Sequence, residues 1–322
     1  AADAISSETR HRRVPKEKPM LDQGLDSFSY YMHWRHAGQK IDALLDHVGR
    51  LGLTALQINI NGPRLRALSG TTTEHFNRVG ARARGMGIAL EVASGGTEPS
   101  KLNLVMELAR QLGAEVVRIT VNQRGSEEVI ARAAADLRQV APDFEAANIA
   151  LAVENHEDLT ASQVVDLIQR IDSPAVGAVY DSGNSIPFYQ DPVEEARLLA
   201  PYVRTTHIKD HILVRVGDSL WSVGTPLGQG RIPLPEIVEV LRTAPHLTRL
   251  MTQVTYGYAV RMPSAPAGQP SMALYEPIDR PTDDLTIWAP STTGSHGYLT
   301  PSPEQLAAAT RHVETSVDYM SK

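Results

Sequence analysis

The hydrophobic and polar positions of this chain follow two alternating periods. Short runs rich in aliphatic and β-branched residues are each followed by a longer segment with apolar residues at helical spacing. Eight strand–helix repeats are typical of an α/β fold in the form of a (β/α)8 TIM barrel. The eight predicted strands are 25–32, 53–60, 88–94, 115–121, 149–155, 176–182, 203–209 and 249–256.

A doubly wound open sheet is the competing fold for the same alternation. That fold would place a glycine-rich phosphate-binding turn directly after its first strand. The segment found there is "SYYMHWRHAG", which does not have this pattern. The barrel is therefore the favoured prediction.

The chain is predicted to have a short N-terminal arm at residues 1–23 and a barrel at residues 24–322. The arm is basic and is either a solvated terminus or a segment that docks on another subunit. Two insertions interrupt the barrel pattern. Residues 212–232 are predicted to form a hairpin followed by a glycine-rich turn, and residues 257–300 a long Pro-, Gly-, Ser- and Thr-rich loop. Both follow a strand, which predicts long loops on the C-terminal face, where barrel enzymes have their active sites.

Composition excludes several classes of protein. Of the 322 residues 42% are hydrophobic, which is ample for a large core, and the net charge of −6 disfavours a nucleic-acid-binding protein. The absence of cysteine excludes disulfides, thiolate metal ligands and a cysteine nucleophile. No apolar run is long enough to span a membrane, and residues 1–20 contain no apolar signal core. A cytoplasmic protein is expected.

The most unusual stretch is "LAVENHEDLTASQ" at residues 151–163, where an apolar strand ends in five consecutive polar residues. Polar residues also stand at the ends of the next three strands, so that Glu154, Asp181, His207 and Gln253 would meet at the barrel mouth. A single polar strand end is commonplace. Four in register predict a metal site, for which Mn²⁺ or Mg²⁺ fits best and Co²⁺ or Zn²⁺ is possible.

His156 lies two residues after Glu154 and is expected to face the same mouth. A histidine beside a metal-binding carboxylate can act as a general base, because its pKa is set by the neighbouring charges. The alternative is a structural histidine that is hydrogen-bonded beneath the metal.

Four motifs resemble those of the xylose isomerase-like barrel superfamily, and the resemblance covers about residues 25 to 256. This superfamily includes sugar isomerases, sugar epimerases and inosose dehydratases. The resemblance implies a metal that binds a substrate carbonyl and the adjacent hydroxyl and stabilises the enediolate formed by proton loss. The motifs are "VEN" at 153–155, "YDSGN" at 180–184, "HIKD" at 207–210 and "LGQGRI" at 227–232.

The last strand departs from the epimerases of this superfamily, which typically have a glutamate that is both ligand and base. Here the position is Gln253, within "MTQVTYGY". An amide can ligate through its oxygen, but it does not accept a proton at neutral pH. A mechanism with one base on one face, and therefore elimination, is favoured.

Within the superfamily the chain most resembles the larger (α) subunit of the bacterial C-glycoside deglycosidases. This resemblance implies a metal-dependent carbon–carbon lyase that removes the C2 proton of a 3-keto C-glycoside and releases the aglycone from C1. It also implies a small β subunit in a hetero-oligomer, for which the 257–300 loop and the arm are candidate docking surfaces. Lys209, Asp210 and His296 would contact sugar hydroxyls or assist the leaving group, although His296 in "TTGSHGYL" could equally be a solvated loop residue.

Three other functions are compatible with parts of the pattern. A sugar or inositol epimerase, isomerase or dehydratase would use the same ligands, and a non-catalytic barrel would serve as a sugar-binding or assembly partner. A metal-dependent endonuclease of abasic DNA would be expected to have more histidine ligands and a basic face, so the acidic balance disfavours it.

Overall fold

The structure is a computed structural model that describes residues 20–61, 63–254, 256–268, 271–279 and 301–322. Nearly all of the predicted arm, the second half of the 257–300 loop and His296 lie outside these residues. Within the described ranges, no helix is long and apolar enough to cross a membrane.

Eight parallel strands form the barrel. They are hydrogen-bonded in chain order, the last one pairs with the first, and a bridge between Ile208 and Thr252 joins the seventh to the last. This arrangement confirms the (β/α)8 prediction and excludes the open doubly wound sheet. The barrel strands are β1 (Asp22–Asp26), β2 (Ala55–Asn59), β3 (Ala89–Ala93), β4 (Val116–Ile119), β5 (Ala150–Glu154), β6 (Val176–Asp181), β7 (Val203–His207) and β10 (Arg249–Thr252).

The α-helices surround this sheet, and their apolar faces pack on the strands as one continuous core. Several begin at a side chain that caps the first turn, as Thr160 and Ser302 do with the glutamine three residues later. The helices are α1 (Tyr31–His36), α2 (Ile41–Arg50), α3 (Thr73–Gly85), α4 (Pro99–Leu112), α5 (Glu127–Ala146), α6 (Ala161–Ile171), α7 (Pro192–Leu199), α8 (Leu234–Leu241) and α9 (Pro303–Met320).

The predicted strand at 25–32 is wrong at its C-terminal end. The strand stops at Asp26, whose Oδ1 accepts a hydrogen bond from the backbone N of Phe28 at 2.6 Å and turns the chain into a short 3-10 helix. Trp34 in the following helix donates to the carbonyl of Ser27 at 2.9 Å. The aromatic residues that mimicked a strand are therefore helical, and Asp26 occupies a strand end.

The first insertion is the predicted hairpin, formed by β8 (Asp210–Val216) and β9 (Ser219–Thr225). The described part of the long loop adds β11 (Ala259–Arg261), antiparallel to β9, and β12 (Ile278–Asp279), parallel to β8. These four strands form a second sheet that follows directly on β7. The two insertions thus build one unit beside the barrel mouth.

Candidate metal centre at the mouth of the barrel

The alternation of side chains along the strands places the charged groups in one layer. Val116, Ala152 and Val179 form a small apolar cluster apart from the main core. Two residues further along each strand stand Arg118, Glu154 and Asp181. Because residues two apart face the same side of a strand, these three side chains lie one layer nearer the mouth. His207 at the end of β7 belongs to the same constellation.

Glu154, Asp181 and His207 form a buried cluster that could hold a metal ion. His207 Nδ1 is 3.2 Å from Glu154 Oε1 and 3.4 Å from Asp181 Oδ2, and one potential ligand atom from each residue lies within 4.8 Å of the others. All three side chains are fully buried. Two carboxylate oxygens and one imidazole nitrogen suit a divalent cation of hard or borderline character.

Charge sets the protonation of the cluster. Burial alone would lower the pKa of His207, but Glu154, together with Asp181 and Asp26, raises it well above its ordinary value. Burial would likewise raise the pKa of Glu154, but Arg118 and His207 hold it well below its ordinary value. A protonated His207 thus neutralises part of the carboxylate charge, and a divalent cation would compete with that proton.

The residues present fit a cation. Arg118 forms an ion pair with Glu154 Oε2, and Lys209 Nζ lies 2.7 Å from Asp181 Oδ2. In the described part of the chain, neither of these two carboxylate oxygens accepts a hydrogen bond apart from these ion pairs. Each therefore keeps a lone pair for a divalent cation, which would compete with Arg118 and Lys209 for the charge of the two carboxylates.

The predicted fourth ligand, Gln253, lies at the edge of the cluster. Its Nε2 donates to Asp26 Oδ2 at 2.6 Å, and Asp26 Oδ2 is in turn 3.2 Å from His207 Nε2. Gln253 thus contacts a carboxylate on the far side of the His207 ring. Its role as a metal ligand stays a prediction.

The polar run after β5 makes several separate contacts. The Asn155 side chain bridges β5 and β6: it accepts a hydrogen bond from the backbone N of Asp181 at 2.7 Å and donates one to the carbonyl of Asp181 at 3.1 Å. Glu157 accepts from Tyr258 Oη at 2.6 Å, and Asp158 accepts from the backbone N of Asn122 at 2.5 Å. His156 Nδ1 lies 3.5 Å from Asp158 Oδ1. The run therefore joins the mouth to the neighbouring loops.

Glu195 on α7 contacts the bridging Asn155 side chain from outside the barrel. Its Oε2 accepts from Asn155 Nδ2 at 3.3 Å. Burial raises the pKa of Glu195 to about 7, and the nearby Asp181 and Asp191 act in the same direction. Near neutral pH the folded protein therefore retains a proton on Glu195 more readily than the unfolded chain does.

We expect Glu195→Gln to flatten the dependence of stability on pH. Between the unfolded pKa of 4.5 and the folded pKa of about 7, the native protein binds more protons than the unfolded chain, so stability falls as pH rises through this interval. The amide cannot ionise and should be more stable at pH 8 by up to about 3 kcal/mol. Urea unfolding at pH 5, 6, 7 and 8 measures the effect, with exposed Glu194→Gln as the matched control. Equal pH slopes in both variants would contradict this account.

Two neighbouring chambers with shared lining residues open at the barrel mouth. The inner chamber has a volume of about 230 Å³ and is lined by Asp26, Arg118, Glu154, Lys209 and Gln253 among others. The outer chamber has about 950 Å³, with an apolar wall that includes Phe188 and Met262 and with Arg124 and Arg261 at its rim. Asn122, His156 and Glu157 line both. His156, with 39% of its side chain exposed, therefore stands where the two chambers meet.

The predicted substrate contacts have different surroundings. Lys209 lines the inner chamber, with Nζ 3.4 Å from Asn184 Oδ1. Asp210 instead accepts four backbone N–H groups, from His211, Gly228, Gly230 and Ile232, and thereby shapes the glycine-rich turn. A Cβ at Gly230 would lie 2.0 Å from Asp210 Oδ1, so this turn requires glycine there. Sugar contacts by Lys209 and Asp210 stay predictions, and His296 lies outside the described residues.

Sequence reasoning missed five residues of this site. Asp26 and Arg118 also stand at or near strand ends. The rule that polar strand-end residues meet at the barrel mouth would have identified Asp26 if the end of β1 had been predicted correctly. Asn184 donates to Glu154 Oε1 at 3.1 Å from the turn after β6. Gln57 and Glu91 lie deeper in β2 and β3, where nothing in the sequence indicates that they connect to His207.

Comparison with known proteins identifies the family. A model of the xylose isomerase-like TIM barrel matches residues 100–246. The 3-oxo-isoapionate decarboxylase of Pectobacterium atrosepticum is 30% identical over 197 residues, which cover 60% of this chain and 70% of that protein. The chain belongs to the xylose isomerase-like TIM-barrel family.

Solved structures agree with this xylose isomerase-like fold. The D-psicose 3-epimerase of Clostridium cellulolyticum H10, with D-tagatose, superposes with a TM-score of 0.63 at 16% identity, covering 94% of this chain and 98% of that one. A xylose isomerase-like barrel from Mycobacterium smegmatis, in complex with magnesium, gives 0.58 at 15% identity, covering 73% and 90%. At these identities the likeness concerns the fold. The family is one of sugar-processing enzymes, and its epimerases and decarboxylase leave the reaction open.

Proposed function

We propose that this chain is the α subunit of a metal-dependent C-glycoside deglycosidase, a carbon–carbon lyase that acts on 3-keto C-glycosides. The observation that carries the proposal is the pair of chambers, of about 230 and 950 Å³, that meet at His156. Ligand sites for drug-sized molecules occupy roughly 300–1,000 Å³. The inner chamber is smaller than that range and the outer one lies at its upper end, which suits a sugar attached to a large aglycone.

The inner chamber would hold the oxidised sugar. Glu154, Asp181 and His207 would bind the cation, with Gln253 as the proposed fourth ligand. When bound, a divalent cation such as Mn²⁺ supplies Lewis-acid stabilisation of the negative charge that develops on the sugar oxygens. Arg118 and Lys209 form ion pairs with the two carboxylates and would add positive charge beside the same sugar oxygens.

His156 would move the proton. It lines both chambers, so a sugar C2 in the inner chamber and an aglycone in the outer chamber both come within its reach. Removal of the C2 proton leaves an electron pair that forms the C1–C2 double bond as the bond from C1 to the aglycone breaks. The aglycone carbon takes that bonding pair and a proton, which protonated His156 can return.

The outer chamber would bind the aglycone. Phe188, Met262 and Val260 offer apolar surface for an aromatic ring system, and Arg124 and Arg261 can stack on it or pair with a phenolate. A small β subunit is proposed to complete the assembly. The four-stranded sheet beside the mouth and the basic N-terminal arm are the proposed docking surfaces.

A second candidate is decarboxylation of a 3-oxo sugar acid, which is favoured by the 30% identity to the decarboxylase. It too breaks a carbon–carbon bond next to a ketone, but carbon dioxide leaves instead of an aglycone. A free-sugar epimerase or isomerase remains the further alternative, because Gln253 weakens the two-base mechanism without removing the ligand set.

The test is aglycone release from a 3-keto C-glucoside of a flavonoid, followed by chromatography. The full chain is incubated with Mn²⁺, with and without a small β-type partner from a neighbouring gene. We expect metal-dependent release, and Phe188→Ala should raise KM for this glycoside while leaving cation affinity unchanged. Bound cation without release, together with deuterium exchange from solvent into a free keto sugar, would favour the epimerase. Carbon dioxide released from a 3-oxo sugar acid would favour the decarboxylase.

A further inference from the structure

The interior of this barrel contains a carboxyl group with no role in the chemistry proposed above. Glu91 on β3 is 1% exposed. Barrel interiors are normally filled by layers of bulky apolar side chains, and a buried carboxyl is costly unless it is hydrogen-bonded. Burial raises the pKa of Glu91, although Arg249, whose Nη1 lies 3.8 Å from Oε1, opposes the shift. The free-energy cost of burying this carboxyl group suggests that Glu91 has a specific role.

Glu91 reaches the metal cluster through one intermediate residue. Its Oε2 accepts from Gln57 Nε2 at 2.9 Å and from Thr205 Oγ1 at 2.7 Å. Gln57 Oε1 lies 2.7 Å from His207 Nε2. Gln57, Thr205 and His207 are fully buried, so solvent does not compete for these contacts.

The order of donors along this chain of contacts determines which nitrogen of His207 keeps its proton when a cation binds. A glutamine amide can turn either its oxygen or its NH₂ group toward a neighbour. The carboxyl oxygen of Glu91 takes the NH₂ group of Gln57, so the amide oxygen faces His207. An acceptor at that place, with Asp26 as a second one at 3.2 Å, requires N–H at Nε2. Nδ1 is then the nitrogen that can offer a lone pair beside Glu154 and Asp181.

We propose that Glu91 is a positioning residue for the metal ligand: through Gln57 it holds the His207 ring with Nε2 toward the Gln57 oxygen and Nδ1 toward Glu154 and Asp181, and so sets the affinity of the site for a divalent cation. Without an acceptor at position 91, Gln57 is free to turn its NH₂ group toward His207. That NH₂ group would face the Nε2–H that Asp26 also accepts, so the His207 ring would be held less firmly, and binding of a cation would have to restore the orientation of both side chains. The proposal concerns the cation site and does not depend on which sugar is the substrate.

The test uses two substitutions of similar size. Glu91→Met removes the acceptor, whereas Glu91→Gln keeps one, because its amide oxygen can take the NH₂ group of Gln57. We expect Glu91→Met to weaken Mn²⁺ binding about 10- to 100-fold, the usual effect of losing such an outer partner of a metal ligand. Glu91→Gln should bind Mn²⁺ as the unchanged chain does. The affinities are measured by isothermal titration calorimetry on the full-length chain.

A stability control and a second readout separate positioning from a general loss of structure. Leu137→Ala creates a cavity in α5, in the outer layer of the core, and should lower the thermal midpoint without changing Mn²⁺ affinity. In ¹⁵N-histidine spectra of the Mg²⁺-loaded protein, the Nε2–H signal of His207 should lie downfield because Gln57 accepts from it, and it should move upfield in Glu91→Met but not in Glu91→Gln or Leu137→Ala. The His207 signal is assigned by its absence in His207→Gln.

Three results would overturn the proposal. They are unchanged Mn²⁺ affinity in Glu91→Met, equal weakening in Glu91→Met and Glu91→Gln, which would point to charge, and a comparable loss in Leu137→Ala. Bound Mn²⁺ with this pattern of affinities, but without aglycone release, would support the role of Glu91 and reject the proposed lyase. The two ideas therefore fail in distinguishable ways.

Discussion

Glu154→Gln is expected to abolish tight cation binding and to reduce turnover by about a thousandfold or more. The substitution preserves size but removes the charge of one of the three clustered ligands. It also leaves the Arg118 guanidinium buried without its carboxylate partner. A bound cation contributes several kcal/mol of charge stabilisation, and about 1.4 kcal/mol corresponds to a tenfold change in rate.

The fold should be weakened by the same substitution. Breaking one side of a buried ion pair costs about 3–5 kcal/mol, so Glu154→Gln should unfold at a lower urea concentration. Cation affinity is therefore measured by calorimetry below the unfolding transition, alongside aglycone release. The matched control is Glu127→Gln, which breaks the exposed pair with Arg170 and should change neither affinity nor turnover. Undiminished Mn²⁺ affinity in Glu154→Gln would show that the cluster is not the cation site.

His156→Ala is expected to lower turnover of the keto-glycoside by about 10²–10⁴-fold, the usual contribution of general acid–base catalysis. Cation affinity should stay unchanged, because His156 is outside the cluster of Glu154, Asp181 and His207. The ring is 39% exposed where the two chambers meet, so small bases can reach the vacated place. Added imidazole should therefore restore part of the lost rate.

Rescue by imidazole separates a proton-transfer role from a structural one. If His156→Ala lost activity only because the contact with Asp158 is gone, added imidazole would not restore turnover at any concentration. His75→Ala, on the outer helix α3, is the control for loss of a histidine elsewhere. Full turnover in His156→Ala with the cation bound would remove His156 from the mechanism and make Lys209, which lines the inner chamber, the next candidate.

The sequence by itself determined the architecture and most of the layer that surrounds the site. Strand and helix periods are local properties, and eight repeats of them allowed the barrel and the hairpin at 212–232 to be predicted correctly. Because a barrel brings all strand ends to one mouth, the positions of Glu154, Asp181 and His207 along the chain were sufficient to predict that they meet. Residue spacing carried this information without any knowledge of distances.

Tertiary structure alone decided which partners complete the cluster. Asp26 was not predicted as a site residue because the first strand was predicted to end at residue 32 instead of Asp26. The aromatic residues that follow Asp26 are helical, although their composition is typical of a strand. Asp210 was predicted to contact substrate, and its carboxylate accepts the backbone N–H of the adjacent His211 and three backbone N–H groups of a turn some twenty residues away. Glu91 and Gln57 connect to His207 across three strands that are far apart in the chain. Hydrogen bonds between such distant residues depend on strand register and amide orientation, and these are properties of the packed barrel that no local pattern in the sequence encodes.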